Sequence, residues 1–306
     1  MATSTSPYEW RPVEYMKQGS KAKFALLILN QPITDIPVFE RLWENAAVKI
    51  CADGGANRLH DLLLDRGLSF TPNIIHGDLD SLRSEVEQYY QDKPQPPIPS
   101  FASSSPSTST VPTVEISKDP DQYSSDFTKC LKRLARFPEP MDVIALGGLG
   151  GRVDQGFSQV HHLYMASLNN LPGDGAEVEG ASLSNPRKEN QPITGRDKRY
   201  YHDAKSLMRG RDLYLYSEQS ISFVLHPGQN KIYTPMSEGY LTENVGIIPV
   251  GKPAKITIEG FEWDVQDWPT EFGGQVSTSN HIRSDVLMVE TNERVLFTLE
   301  RTEGWS

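Results

Sequence analysis

The chain is poor in cysteine, in basic charge and in long apolar runs, and each scarcity excludes something. Only two cysteines occur, Cys51 in a strand-like and Cys130 in a helix-like segment. A disulfide framework is thereby excluded and a reducing compartment expected. Lys and Arg number 30 against 40 Asp and Glu, a formal charge of −10. That balance argues against a basic stripe of the kind that grips nucleic acid, so no nucleic-acid partner is expected. An anionic nucleotide stays admissible, because a bound cation and a few local basic groups can reverse the field at one point. No apolar run approaches the roughly 20 residues needed to span a bilayer, and Met1 to Gly19 lacks the apolar centre of a signal peptide. The expectation is a soluble, cytoplasmic protein without a membrane partner.

At 306 residues there is room for two domains, each with its own core. Residues 1–20 are polar and read as a flexible N-terminus. Phe24-Ala-Leu-Leu-Ile-Leu29, Val48-Lys-Ile-Cys-Ala52, Ile74-Ile75, Val114-Glu-Ile-Ser117 and Asp142-Val-Ile-Ala-Leu146 read as strands. Helical patterns separate most of them, over 39–45, 59–67 and 126–137. In the last of these, Phe127, Cys130, Leu131 and Leu134 share one face. A helix over 154–168 follows, and Leu213-Tyr-Leu-Tyr216 reads as the final strand of the sheet. Alternating strand and helix indicate an α/β, Rossmann-like domain with a parallel sheet over 21–218. Two polar stretches, 92–112 with its Ser/Thr/Pro run and 169–206, read as disordered insertions. From Ser220 onward short β segments alternate with Gly, Pro or Asn, which indicates an all-β sandwich over 219–306.

The candidate chemistry gathers around His76-Gly-Asp-Leu-Asp-Ser81. A turn after a buried strand can aim Asp78 and Asp80 at one point, and paired hard oxygen ligands suit Mg²⁺. Asp53 and Asp126 lie at comparable turns. In open parallel sheets ligands bind beyond the carboxyl ends of the strands, so Asp53, Asp78 and Asp80 should share one edge, with Asp126 opening a helix on the same side. Each single Asp could instead be a helix cap or turn residue. Four pooled carboxylates without a cation would repel one another. Gly147, Gly148, Gly150 and Gly151 form a strand-to-helix loop that phosphate oxygens could approach closely. Arg152 offers a fork for phosphate and Asp154 could hold that fork or a metal, although the two could simply form a surface salt bridge. No Ser-His-Asp or Cys-His arrangement is evident, and the adjacent His161 and His162 read as structural. In the β region, Trp263 is either a packing residue or a ring free to stack on a flat or cationic heterocycle, with Ser279 and Asn280 able to bond its edge.

These stretches resemble the motifs of eukaryotic thiamine pyrophosphokinases: Cys51-Ala-Asp-Gly-Gly-Ala-Asn-Arg-Leu59, His76-Gly-Asp-Leu-Asp-Ser81, Ser125-Asp-Phe-Thr-Lys-Cys-Leu131 and Gly147-Gly-Leu-Gly-Gly-Arg-Val-Asp-Gln155. Gly246-Ile-Ile-Pro-Val-Gly251 and Ser277-Thr-Ser-Asn280 extend the likeness into the β region. The resemblance implies transfer of pyrophosphate from ATP to the hydroxyethyl group of thiamine, giving thiamine diphosphate and AMP. It implies Mg²⁺ held by Asp53, Asp78, Asp80 and Asp126, and ATP handled by Gln122, Ser125, the glycine loop, Arg152 and Asp154. It also implies thiamine on Trp263, Ser279 and Asn280, and a homodimer whose subunits share each site. Glu262 stands where the family commonly carries a lysine before the stacking tryptophan. Two other readings stay open on the residues alone: a metal-dependent nucleotide hydrolase, and a non-catalytic sensor of nucleotide or thiamine. Product analysis separates them, since only transfer makes AMP formation depend on thiamine.

Overall fold

The computed structural model describes residues 6–98, 112–167 and 210–303. In chain order its elements are β1 (Tyr8–Trp10), β2 (Phe24–Ile28), α1 (Ile36–Asn45), β3 (Val48–Ala52), α2 (Gly55–Arg66), β4 (Ile74–Gly77) and α3 (Ser84–Gln91). They continue with β5 (Glu115–Lys118), α4 (Asp126–Leu134), β6 (Asp142–Leu146), α5 (Val153–Ala166) and β7 (Leu213–Tyr216). Eight strands follow: β8 (Ser220–Leu225), β9 (Gly228–Tyr233), β10 (Leu241–Ile248), β11 (Ala254–Glu259), β12 (Val265–Thr270), β13 (Ser277–His281), β14 (Val286–Thr291) and β15 (Val295–Arg301).

Strands β5-β4-β3-β2-β6-β7 pair in parallel in that order. Every residue of β2 is buried, as a central strand covered by helices on both faces requires. The chain leaves β2 toward β3 on one side and reaches β6 on the other. A topological switch point therefore lies between β2 and β6, where sheets of this kind leave a crevice beyond the strand ends. Local chemistry sets the helix ends. Asp35 caps α1 by accepting the Val38 N–H at 3.2 Å, and Ser125 caps α4 by accepting the Thr128 N–H at 3.2 Å. Gly67 ends α2 with φ of 70°, the left-handed geometry that favours glycine.

The β-rich C-terminal region is present, but Leu213–Tyr216 is not the last strand of its sheet. β8 pairs antiparallel with β7, and β15, β10 and β13 extend the same sheet to ten strands. The second sheet, β1-β9-β14-β11-β12, packs over this extension. Phe223, Val245, Ile247, Phe297 and Leu299 from one sheet, with Ile232, Ile256, Ile258, Leu287 and Val289 from the other, fill the shared core.

The first twenty residues depart most from expectation. Residues 1–5 lie outside the described residues, but the segment after them is built into the core. β1 pairs in parallel with β9, and Trp10, Val13, Tyr15 and Met16 are buried. Four apolar side chains dispersed among polar neighbours carry no periodic signal, yet each is buried: Trp10 in the sandwich, and Tyr15 against Phe24 and Tyr214 of the parallel part of the sheet. The Trp10 indole donates to Asn230 Oδ1 at 3.0 Å and packs 4.9 Å from the Phe223 ring. Trp10→Ala is expected to cost about 3–5 kcal/mol of stability, measurable as a lowered urea midpoint. An unchanged midpoint would show that the segment is only draped on the surface.

The two expected insertions fall mainly on residues 99–111 and 168–209, outside the described residues. The start of the first is ordered, contrary to expectation. Asn73 Nδ2 donates to Pro96 O at 2.8 Å, Gln95 N–H donates to Pro112 O at 2.7 Å, and Ile98 packs against the core.

Candidate functional site

β3, β4 and α4 bring three carboxylates to one point. One oxygen from each of Asp53, Asp78 and Asp126 lies within 4.8 Å of the others. Asp53 follows β3 with φ of 44°, a left-handed conformation that non-glycine residues seldom take. Gly77 ends β4 beneath the cluster. A Cβ there would stand 2.8 Å from Asp126 Oδ1 and 2.9 Å from Asp53 Cβ, so glycine is what lets the acids close together. Asp126 Oδ1 accepts the Asp78 N–H at 3.1 Å, and Asp53 Oδ2 accepts the Ser81 N–H at 3.1 Å. Asp80 lies beside this group rather than within it: its Oδ1 accepts the Ser81 hydroxyl at 2.9 Å on the exposed side.

One residue at this point was not anticipated. Lys129 is completely buried, and its Nζ donates to Asp78 Oδ2 at 2.8 Å and to Asp126 Oδ1 at 3.0 Å. It lies opposite the apolar stripe of α4, where helical periodicity places a solvated lysine. The available signal was its position three residues after Asp126, which puts the two side chains on neighbouring turns. Burial alone would lower the Lys129 ammonium, but the bonds to Asp78 and Asp126 outweigh it and hold the group above its ordinary value. The same contact, with Lys129 as donor, holds Asp78 below the usual carboxylate range.

Asp53 goes the other way. Burial pushes its carboxyl up to about 6; the Ser81 N–H opposes the rise, and the charges of Asp126, Asp78 and Asp80 add to it. Its Oδ1 is buried without any hydrogen-bond partner. An orphaned, buried carboxylate oxygen beside two further acids is a costly arrangement, and a hard divalent cation is what this donor set fits. Cation binding requires the ionised form, so protons compete with metal below the Asp53 value. Mg²⁺ affinity measured by calorimetry is expected to weaken as pH falls through about 6, approaching about tenfold per unit well below it. A flat profile between pH 5 and 8 would contradict this.

The remaining candidates occupy the same sheet edge or the β sandwich. Gly147, after β6, donates its N–H to Tyr216 O at 3.0 Å and has φ of 94°. A Cβ on Gly148 would meet Leu215 Cδ1 at 2.0 Å. Gln31, from the turn after β2, runs along the loop: a Cβ on Gly147 would lie 2.9 Å from its own, and one on Gly151 would lie 3.6 Å from its amide. Gln31 and Gly147 thus flank the switch point. Arg152 and Asp154 form the surface pair left open as an alternative, joined at 3.1 and 2.6 Å with both side chains mostly exposed. Gln122 is exposed in the turn before α4. Ser125, besides capping that helix, bonds His162 Nε2 at 2.8 Å, and Thr128 Oγ1 joins the same nitrogen at 3.0 Å. His162 Nδ1 meets Ser158 O at 2.5 Å, so Nδ1 donates and Nε2 accepts. Burial brings this imidazole down to about 4, and it ties α4 to α5 as a neutral ring.

In the sandwich, Trp263, Ser279 and Asn280 line one cleft of about 370 Å³ together with Trp268 and Ile258. Trp263 is 54% exposed, so its ring is available to a ligand. Asn280 has other work: its Oδ1 accepts the Trp263 and His281 N–H groups at 3.2 and 2.8 Å, and its Nδ2 donates to Trp263 O at 3.0 Å. Glu262 is engaged by His281 Nδ1 at 2.5 Å, whose ring lies 5.2 Å from that of Trp263, and by the Arg283 guanidinium. Among the described residues no helix is long and apolar enough to cross a membrane.

A parallel sheet with an acidic edge and a glycine loop, continued by a β sandwich carrying an aromatic cleft, defines a two-part architecture with one candidate site in each part. Residues 39–172 match the model of the thiamin pyrophosphokinase catalytic domain, and residues 229–296 match that of the thiamin pyrophosphokinase vitamin B1 binding domain. The chain belongs to the thiamin pyrophosphokinase family. It is 28% identical to the thiamine pyrophosphokinase of Saccharomyces cerevisiae, covering 90% of this chain and 84% of that protein. It is 26% identical to thiamine pyrophosphokinase 1 of Arabidopsis thaliana, covering 90% and 86%. Thiamin pyrophosphokinase from Candida albicans shares the fold with a TM-score of 0.68 at 20% identity, over 99% of this chain and 95% of that one.

Proposed function

We infer that this protein transfers a pyrophosphoryl group from ATP to the hydroxyethyl oxygen of thiamine, giving thiamine diphosphate and AMP, with Mg²⁺ held by the acid cluster. The observation that carries the metal is the buried, unpartnered Oδ1 of Asp53, a residue that brings one carboxylate oxygen within 4.8 Å of oxygens from Asp78 and Asp126. Asp53, Asp78 and Asp126 would hold the cation, with Asp80 completing the site from its exposed side. When bound there, Mg²⁺ would supply charge neutralisation for phosphate oxygens. The protein's own part is mostly positioning, as in other phosphoryl transfers. Backbone N–H groups of Gly148–Gly151, with Gln122 from the turn before α4, would cradle the triphosphate, while the Gly147 N–H on Tyr216 O and the Ser125 hydroxyl on His162 shape the loop and the start of α4. Arg152 would exchange Asp154 for phosphate oxygens, which an exposed pair can do at little cost. The Trp263 face would stack on the cationic thiazolium of thiamine, held in place by Asn280, with Ser279 at the rim of the cleft.

We place the acid cluster and the aromatic cleft in one working site by assembling two chains. Leu149, Val153 and Phe157 expose apolar surface at the glycine loop and the start of α5, which supports a homodimer covering that surface. Sedimentation should return the mass of two chains at micromolar concentration; a single-chain mass would refute the dimer. A cytoplasmic location completes the reading, in keeping with two free, buried cysteines. The activity is tested by incubating the protein with ATP and Mg²⁺, with and without thiamine. Stoichiometric AMP and thiamine diphosphate, absent without thiamine, are expected. Nucleotide hydrolysis indifferent to thiamine would point instead to a hydrolase.

A further inference from the structure

We propose that Lys129 is a built-in counter-ion of the metal site, holding Asp78 and Asp126 together before the cation arrives and fixing which of their oxygens face it. The proposal rests on the metal-site reading above. Its geometry is specific. Lys129 is fully buried, and the two acids bonded to its ammonium come from different elements, the turn after β4 and the first residue of α4. It takes Asp78 Oδ2 and Asp126 Oδ1, and the latter oxygen also accepts the Asp78 N–H. Asp78 Oδ1 accepts the Asp80 N–H at 3.3 Å, and Asp53 Oδ2 the Ser81 N–H. The rotation of each carboxylate is therefore set by the protein, and the orphaned Asp53 Oδ1 marks the side left open.

Charge makes the same point. Asp53, Asp78 and Asp126 bring three negative charges and Asp80 a fourth at the rim, while Lys129 returns one, leaving a net negative centre that attracts a divalent cation. Without the lysine, only the Asp78 N–H would hold the Asp126 carboxylate beside that of Asp78, and the turn after β4 would be pushed from α4. Lys129 is thus a positioning residue for the metal rather than a group that touches substrate. A solvated lysine could not do this, because surface pairs hold geometry weakly. A buried one cannot leave without exposing both partners to repulsion.

The test uses the full chain and reads thermal unfolding, not turnover. In EDTA, Lys129→Met should lower the midpoint by roughly 5–10 °C, and saturating Mg²⁺ should restore most of that loss while shifting wild type far less. Lys129→Met/Asp126→Asn, which removes one acid along with the lysine, should recover stability in EDTA without metal. A midpoint for Lys129→Met that falls equally with and without Mg²⁺, and is not rescued by Asp126→Asn, would show a packing role only and overturn the proposal. An unchanged midpoint in EDTA would overturn it as well. If Lys129→Met folds only when Mg²⁺ is present, the proposal stands; if it folds under no condition, even with Asp126→Asn, it falls. Should wild type make no thiamine-dependent AMP while this pattern holds, the catalytic reading fails and the counter-ion role survives.

Discussion

Asp53→Asn is expected to lower turnover at least about a hundredfold while making the metal-free protein more stable. Asparagine keeps the volume and the Ser81 contact but withdraws a ligand charge from a site where charge develops, a loss worth roughly 3 kcal/mol or more of transition-state stabilisation. The stability change has the opposite sign. The Asp53 value in the fold, about 6, lies above the ordinary 3.8, so the folded state binds the proton more tightly than the unfolded state. This contribution is present below the unfolded value and is lost as pH rises through about 6, leaving an unfavourable buried charge at pH 8. Removing that charge is expected to raise stability at pH 8, without metal, by up to about 3 kcal/mol. An inactive but stabilised variant distinguishes a strained metal ligand from a structural cap, whose loss would lower both. Retained turnover, or destabilisation at pH 8, would count against the role given to Asp53.

The second large effect is expected from Trp263→Ala. The ring is 54% exposed and lines the sandwich cleft, and two bonds with Asn280 hold the Trp263 backbone. Stacking a cationic heterocycle on such a face contributes about 0.5–2 kcal/mol. Truncation should therefore raise the KM for thiamine by up to about thirtyfold, with the KM for ATP unchanged. Because the ring is more than half in water, the unfolding midpoint should scarcely move. A change in ATP affinity instead would place the ring against nucleotide. Asn280→Ala should reproduce the thiamine defect in part, since it frees the Trp263 loop rather than removing the ring.

Much of this was legible in the sequence for a physical reason. β2, β3 and β6 are short apolar runs ending at turn residues, and strands buried on both faces leave that signature. The acids were legible because each follows a strand or opens a helix, so topology alone places them at one edge. Trp263, Ser279 and Asn280 do share a cleft, although the clamp made by Asn280 was not visible without its bonds.

What escaped was whatever depends on partners distant in sequence. Trp10 looks like a stray apolar residue until β1 pairs with β9, some 220 residues on, and Tyr15 until it meets Asp142 and Tyr214. The continuation of the parallel sheet into the sandwich depends on β7 meeting β8 edge to edge, which no periodicity reports. Lys129 reads as a solvated helix residue because the group that buries it, the turn after β4, lies 51 positions earlier. Gln31 carries no motif, and only the closeness of its side chain to Gly147 and Gly151 brings it to the site.

The most direct test of the central claim is a crystal grown with Mn²⁺ in place of Mg²⁺, collected for anomalous scattering. One strong peak is expected within about 2.1–2.2 Å of oxygens from Asp53, Asp78 and Asp126, with Lys129 still bonded to the other oxygens of Asp78 and Asp126. A well-ordered crystal with no peak there, or with manganese bound elsewhere and Asp53 Oδ1 still unpartnered, would contradict the account.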